Sequence, residues 1–300
     1  MHPADRDDIE RNSLGILDPG RMREHVQFRR IEPDGDLCDL VEWFWAVRWS
    51  LPEGEEFVQP VLAHPTANLS VGPASSRGID RDDIEATAVG VTTSVDRRRL
   101  RGDGWNVAAK LRPGGLGAVL STSATELTDR IVPLADVVPI DVGRLVSMMV
   151  ARAGDVDAQV AELATALRSA LQDVDPQRLQ ASRSAVDLGS MVEHDRAIRS
   201  VRALAGRSGF GVRSLQRLFA EHAGVSPLWM IRRYRLIEAA DAARGGRPPS
   251  WSALAAVLGY ADQAHLARDF KSTVGMTPSE YAASVRPLES PRDADREQAV

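Results

Sequence analysis

Cysteine is nearly absent from this sequence of 300 residues. Cys38 stands alone, which excludes an intramolecular disulfide and any cysteine-rich zinc site, and a single such residue is read as a small buried hydrophobe. Long apolar runs are absent too: no stretch approaches the roughly 18 residues that a membrane span requires. The opening residues, MHPADRDDIERN, are acidic and polar where a secretory signal would be basic and then apolar. A cytoplasmic location without a membrane partner is therefore expected. The motifs of common chemistries are also missing. There is no Gly-x-Ser-x-Gly elbow, no Gly-x4-Gly-Lys phosphate loop and no Gly-x-Gly-x-x-Gly after a strand. The histidines (His2, His25, His64, His194, His222 and His265) form no His-Glu-x-x-His run or other ligand spacing. His25 and His64 are the two that a barrel could turn toward a metal, but histidines satisfied by neighbours are the simpler reading. No catalytic residue, metal ligand or cofactor is assigned, and the chain is read as a non-enzyme.

Basic residues are in deficit overall, with 37 Lys+Arg against 42 Asp+Glu and a net charge of −5. The deficit is uneven. Residues 191–286 hold 14 basic and 8 acidic side chains, a balance of +6, which leaves −11 for the remainder. A basic C-terminal third beside an acidic remainder suits a surface for phosphates next to a domain that does not touch them. With 43% hydrophobic residues the chain has material for real cores, and its length suits two domains or one domain with a smaller module.

Residues 1–22 are charged, lack apolar periodicity and are read as a flexible arm. From Val26 to about Leu120 strands dominate. Trp43, Trp45, Val47 and Trp49 share one face at period two, and Pro, Gly and Asn recur as turn signals between short apolar runs. The Trp face could stack a ligand, although aromatic alternation on a strand is usually core. Without helical crossovers, an antiparallel sandwich or small barrel is expected. Helices follow over 116–120, 124–130, 142–153 and 156–171. In the last, Val156, Val160, Leu163, Leu167 and Leu171 form a narrow apolar stripe that serves its own domain or a helix–helix dimer. Residues 173–190, with Pro176 and several serines, read as a linker.

The C-terminal third repeats itself. Leu215, Arg217, Phe219, Gly224, Ser226 and Pro227 recur as Leu266, Arg268, Phe270, Gly275, Thr277 and Pro278. Upstream, Leu204, Ala205, Gly209 and Phe210 answer to Leu254, Ala255, Gly259 and Tyr260. Each copy reads as a short helix, a glycine turn and a second helix. Gly209 and Gly259 stand where the first helix must end in the left-handed conformation that glycine adopts cheaply. Leu215, Leu218 and Phe219, and likewise Leu266 and Phe270, make a packing face. The opposite face carries Arg213, Ser214, Gln216 and Arg217 in one copy, and Gln263, His265 and Arg268 in the other. Arginine forks onto guanine and glutamine pairs with adenine, so these types suit base edges. Ser226 and Thr277 are placed to cap the helix that follows, with proline in its first turn.

The segment from Arg199 to Ala283 resembles the C-terminal domain of AraC/XylS-family transcription regulators. The run Gly259-Tyr260-Ala261-Asp262-Gln263-Ala264-His265-Leu266-Ala267-Arg268-Asp269-Phe270-Lys271 is similar to the family's most characteristic signature. The basic run Ile231-Arg232-Arg233-Tyr234-Arg235-Leu236 resembles the Arg-rich helix that joins its two helix-turn-helix units. Two departures stand out: Gly211 where a serine cap is usual, and Trp229 where a polar residue is usual. The resemblance implies two recognition helices in successive major-groove segments of double-stranded DNA. Arg213, Ser214, Gln216 and Arg217 would read one segment and Gln263, Ala264, His265 and Arg268 the other, with Lys271 and Thr277 on phosphates.

The N-terminal half is similar to the sensor domain of one AraC-type branch. The parallels are Trp43 to Trp49, His64-Pro65-Thr66-Ala67-Asn68-Leu69, Gly90-Val91-Thr92 and Leu111-Arg112-Pro113-Gly114-Gly115. This implies a cupin-like, ligand-sensing or dimerising β-fold. The expected architecture is α+β: an N-terminal antiparallel β barrel or sandwich, a helical connector and an all-α double helix-turn-helix. The divisions are 1–22, 23–139, 140–190, 191–286 and a flexible tail at 287–300. The implied partners are promoter DNA, a small-molecule effector, a second copy as homodimer, and RNA polymerase if the protein activates. A small-molecule-binding or catalytic barrel with a vestigial DNA-binding tail is the alternative.

Overall fold

The computed structural model describes residue 22 and residues 24–74, 83–244 and 250–284. The expected arm, apart from Met22, and the tail at 287–300 lie outside the described residues. Met22 itself is buried against Val26, Trp49 and Phe57.

Among the described residues eight strands come first: β1 (Val26–Ile31), β2 (Val41–Ser50), β3 (Glu56–Val61), β4 (Asn68–Pro73), β5 (Ile84–Val89), β6 (Asp96–Arg101), β7 (Asp103–Leu111) and β8 (Ile131–Pro133). Six form an antiparallel sheet in the order β1-β2-β7-β4-β5-β8, and β3 pairs only with β6 in a two-stranded antiparallel sheet. Of the expected barrel or sandwich, the sheet does not close into a barrel: it is an open sheet faced by a ribbon. β3 and β6 hydrogen-bond to each other, and among the described residues no strand bridges the edges β1 and β8. The short β8 was absent from the sequence reading, where strand formers are few after Gly115; Pro133 fits its place on a sheet edge.

Period-two alternation gives the large sheet two different faces. Phe44 and Ala46 of β2, Leu69 and Val71 of β4, and Val107 and Ala109 of β7 point into the main core. Their neighbours Trp45, Asn68, Ser70 and Asn106 point the other way, toward the ribbon. Helices cover the first face: α1 (Leu116–Val119), α2 (Val142–Ala151) and α3 (Val156–Gln172). Asp141 and Asp155 cap α2 and α3 through the amides of Arg144 and Ala158.

The stripe on α3 settles inside this layer. Val156, Val160, Leu163 and Leu167 are all buried in the same core as Phe44 and Leu69, and Leu171 packs at its margin. The stripe serves its own sheet and leaves nothing for a helix–helix dimer. Arg29 of β1 reaches Asp157 at 2.9 Å, which pins the outer side of α3 to the sheet. Cys38, expected inside, is exposed, with its thiol donating to the Pro33 carbonyl at 3.3 Å. Its short helical turn, Gly35–Asp39, buries Leu37 instead.

Residues 173–190, read as linker, lie largely in α4 (Pro176–His194). Pro176 occupies the first turn, where its missing N–H costs nothing, and Asp175 caps it through the Gln177 amide at 2.8 Å. The serines and small residues are contact positions. Ser182 donates to the Gly114 carbonyl at 2.7 Å, and a Cβ on Gly189 would stand 2.7 Å from that of Pro113. Six further helices follow among the described residues: α5 (Val201–Ser208), α6 (Val212–Ala223), α7 (Pro227–Arg244), α8 (Trp251–Leu258), α9 (Gln263–Val274) and α10 (Pro278–Ser284).

Leu163 is fully buried, so Leu163→Ala is expected to lower the unfolding free energy by about 2–5 kcal/mol in a urea titration. Sedimentation mass should stay the same wherever the variant is folded. A changed mass at unchanged stability would return the stripe to the role of an interface.

Candidate nucleic-acid interface

Each repeat folds as two short helices meeting at a glycine. Ser200 caps α5 through the Ala203 amide, and α5 ends at Gly209 with φ of 76°. In the second unit Ser250 caps α8, which ends at Gly259 with φ of 83°. Both glycines adopt the left-handed conformation, where a Cβ would crowd the following carbonyl. The second helices then differ at their start. Asp262 caps α9 by accepting from the His265 amide at 2.7 Å, whereas Gly211 offers α6 no side-chain cap.

The packing faces are clean. Leu215 and Phe219 of α6 are fully buried, as are Leu266 and Phe270 of α9, while Leu218 is partly buried. Arg213, Ser214, Gln216 and Arg217 are all exposed on α6. On α9, Gln263, Ala264, His265, Arg268 and Lys271 are likewise exposed. The His265 ring stands edge-on to Tyr260 with centroids 5.1 Å apart, so the preceding turn orients it. Thr277 is different. Its amide donates to Glu280 at 2.7 Å and its hydroxyl to the same carboxylate oxygen at 2.9 Å, a capping box at the start of α10. Those two bonds hold the Glu280 carboxyl below its usual range. A phosphate at Thr277 would have to displace Glu280.

Helix α7 joins the two units, with Ser226 accepting from the Trp229 amide at its start. Of its basic run, Arg232 is exposed while Arg233 and Arg235 are buried. Arg235 donates to the carbonyls of Val192 and Asp195 at 3.0 and 3.1 Å and pairs with Glu238. Arg233 lies over the Trp229 ring at 4.7 Å and donates to the Thr93 carbonyl in the N-terminal half. Burial lowers Arg233 to about 10, against the pull of Asp129 and Asp269. Trp229, unusual by sequence, supplies the aromatic face on which this cation rests. Arg199 ties the units directly: it donates to the Val257 carbonyl at 3.0 Å and packs against Gly259.

Residues 204–284 match the family model of a helix-turn-helix domain, and residues 29–133 match a domain of unknown function, DUF6597. The C-terminal region is an AraC-type helix-turn-helix domain. At this level the matched region belongs with the helix-turn-helix domains of DNA-binding transcription regulators. Among solved structures, a probable AraC family transcriptional regulator from Rhodopseudomonas palustris CGA009 is 26% identical, over 36% of this chain and 99% of that one, with a TM-score of 0.31. ToxT from Vibrio cholerae is 11% identical over 86% of this chain and 98% of its own, with a TM-score of 0.36. Unsaturated fatty acid bound ToxT from Vibrio cholerae strain SCE256 is 12% identical over 89% and 96%, with a TM-score of 0.35. No helix among the described residues is long and apolar enough to cross a membrane.

The AraC-type domain is docked on the N-terminal half through contacts that sequence reasoning did not anticipate. The last carbonyls of a helix lack partners within it. At the end of α6 they are met from outside: Thr125 donates to the Ala220 carbonyl at 2.7 Å, and Thr128 donates to that of Gly224. Arg178 of α4 bridges Glu221 and the Thr122 carbonyl at 3.2 and 2.8 Å. His222 sits buried against Gly117, where a Cβ would come 2.6 Å from the His222 Cα. The only hint in the sequence was the hydroxyl-rich run Ser121 to Thr125, and nothing local says what it would bind.

Between the two sheets lies a cavity of about 240 Å³. Trp43, Trp45 and Trp49 line it, so the aromatic face divides its work: Trp49 packs with Phe57 and Leu100, while Trp43 and Trp45 are only partly covered. Asn68 accepts from Trp45 Nε1 at 3.0 Å, Ser70 donates to Asn106 at 2.9 Å, and Lys110 pairs with Glu42 at 3.0 Å. Two cavity walls continue into the AraC-type domain. Gly90 and Thr92 line the cavity while Val91 between them is buried against Leu215, Phe219 and Tyr234. Leu62 lines the cavity and also sits in the core of the second unit with Leu266 and Phe270. Asp129, at φ of 57°, accepts from both the amide and hydroxyl of Thr93 at 2.6 Å and so holds this segment down. Of the two histidines considered for a metal, His25 stacks on Phe57 and His64 meets Tyr234 of α7 edge-on.

Burial and the nearby Arg178 keep the His222 imidazole below its ordinary value of 6.5, with Glu221 opposing. The unfolded chain therefore binds this proton more readily than the folded one. The stability it contributes is present above pH 6.5 and is lost as pH falls through the folded value. Denaturant midpoints measured from pH 7.5 down to 5 should decline in the wild type and decline less in His222→Gln; parallel profiles would contradict this.

Proposed function

We propose that this protein is a sequence-specific transcription regulator whose helices α6 and α9 read adjacent major-groove segments, and whose N-terminal half senses a small molecule. The observation that carries the reading is the duplicated exposed face. Two helices, each held by a Leu and a Phe and each entered from a left-handed glycine turn, present Arg217 and Arg268 outward at matching positions, with Gln216 and Gln263 exposed beside them. In this reading Arg213, Ser214, Gln216 and Arg217 address one segment and Gln263, Ala264, His265 and Arg268 the next. Lys271 contacts phosphate, and Thr277 does so by exchanging Glu280. The working divisions are a sensor at 23–139, a connector at 140–190 and the DNA-binding domain at 191–286.

Sensing is supported by the continuity of the cavity walls with both helix-turn-helix cores. A ligand pressing on Gly90 and Thr92 displaces Val91 and Thr93, and with them α7; one pressing on Leu62 moves the second unit. Since α7 and Arg199 fix the spacing of α6 and α9, small shifts there alter how well both helices meet one face of DNA. Linkage then requires that DNA alter ligand affinity by the same factor.

Selection of sites from random duplex DNA with full-length protein, at two salt concentrations, is expected to enrich two blocks about one helical turn apart. Arg217→Ala and Arg268→Ala should each remove discrimination at one block, costing roughly 1–3 kcal/mol against the preferred base. Lys271→Ala should weaken all sequences alike and reduce the salt slope by about 1. Uniform weakening by the arginine variants would make them phosphate contacts.

A further inference from the structure

Six large apolar side chains stand exposed among the described residues, and two of them, Phe210 and Val212, flank the start of α6. Scattered singly, such residues are ordinary. Here two fall within three positions, at the end of a recognition helix whose first residues are the ones that meet base edges.

The repeat gives Val212 its address. It opens α6 as Gln263 opens α9, three residues ahead of Leu215 and Leu266 respectively. The same position thus carries a hydrogen-bonding side chain in one unit and a purely apolar one in the other. Val212 also stands one turn ahead of the exposed Gln216. Nothing screens it from that side: Gly211 has no side chain, and a Cβ there would find only the Ser214 hydroxyl, at 3.9 Å. In the second unit the corresponding ground is polar and engaged. Asp262 caps α9, and Tyr260, the counterpart of Phe210, donates its hydroxyl to Asp269 at 2.8 Å. Phe210 has no hydroxyl to tether it, and Leu218 stands in the place of Asp269.

Every base edge in the major groove offers donors or acceptors, but thymine alone adds an apolar group, its 5-methyl. An isopropyl side chain laid against any other edge would strip water from polar atoms and return no hydrogen bond. Valine is stiff at χ1 in a helix, so holding it against a methyl group costs little side-chain freedom. We propose that Val212 is a specificity residue of the first block and selects a thymine through its 5-methyl group. The inference rests on the reading of α6 as a recognition helix. It adds a base and a kind of contact that α9, with Gln263 in the same place, does not share.

Deoxyuridine lacks only the methyl group of thymidine, so the test replaces each thymine of the selected site in turn and measures binding of the full-length protein by fluorescence anisotropy. One replacement should weaken binding about three- to fivefold, the effect of one buried methyl group. At that position 5-methylcytosine should bind more tightly than cytosine by a similar factor. Val212→Ser and Val212→Gln should both erase the uracil penalty and leave the preferences of the second block unchanged. Glutamine is the better helix former, so the second variant keeps α6 formed. A merely structural valine would shift thymine and uracil sites alike. The proposal is overturned if no uracil weakens the wild type, or if the penalty survives both variants. A two-block motif without any methyl effect removes this assignment alone, whereas absence of an enriched motif brings down the regulator reading with it.

Discussion

The rest of the molecule depends on the alternation of side chains across β2, β4 and β7. A strand turns successive residues to opposite faces, so a run such as Val41 to Ser50 must supply two environments at once. Phe44 and Ala46 supply the helical core, and Trp43, Trp45 and Trp49 supply the cavity wall. A one-residue slip in register would put tryptophans against α3 and alanine against the ribbon. Placement of α2 and α3, formation of the cavity and the docking of everything downstream all require that register.

The sheet passes this constraint on to the DNA-binding half by the same device. Residues 90–93 have cavity on one side and the first helix-turn-helix core on the other, and Leu62 belongs to the cavity and to the second core. The buried arginines of α7 are part of this seam. A sequence reader counts Arg233 and Arg235 toward a basic surface, yet they hold carbonyls at Thr93, Val192 and Asp195. The basic surface left for phosphates is correspondingly smaller than the charge count over 191–286 implies.

What could be read from the sequence was whatever local spacing determines. The duplication, the left-handed glycines at 209 and 259, the caps at Ser226 and Thr277 and the outward faces of α6 and α9 follow from residue types a few positions apart. The strand-rich start and the α+β class were legible in the same way. What escaped was decided at long range. The stripe Val156 to Leu171 has the same spacing whether it meets a sheet or a second copy, and only the sheet's own apolar face chooses. The serines of α4 look like linker residues until Gly114 and Pro113 come within contact. Closure of a barrel could not be read either, because β3 and β6 satisfy each other and no turn signal says which partner a strand will take. Cys38 was misplaced for a simpler reason: its turn buries the neighbour, Leu37.

The hydroxyls that close the end of α6 have a bearing on how the chain is made. Synthesis runs from the N-terminus, and domains generally fold in the order in which they emerge. Thr125, Thr128 and Val91 all precede α6 in the sequence, so that order would give the first helix-turn-helix unit a finished template. The second unit arrives last and finds Leu62 and Arg199 waiting for it. Excised from the preceding residues, the DNA-binding half would end α6 with unmet carbonyls and leave Leu188, Phe219 and Tyr234 without Val91 as a neighbour. The two halves are consecutive in sequence but make a single assembly line, in which the N-terminal half serves as the mould for the C-terminal one.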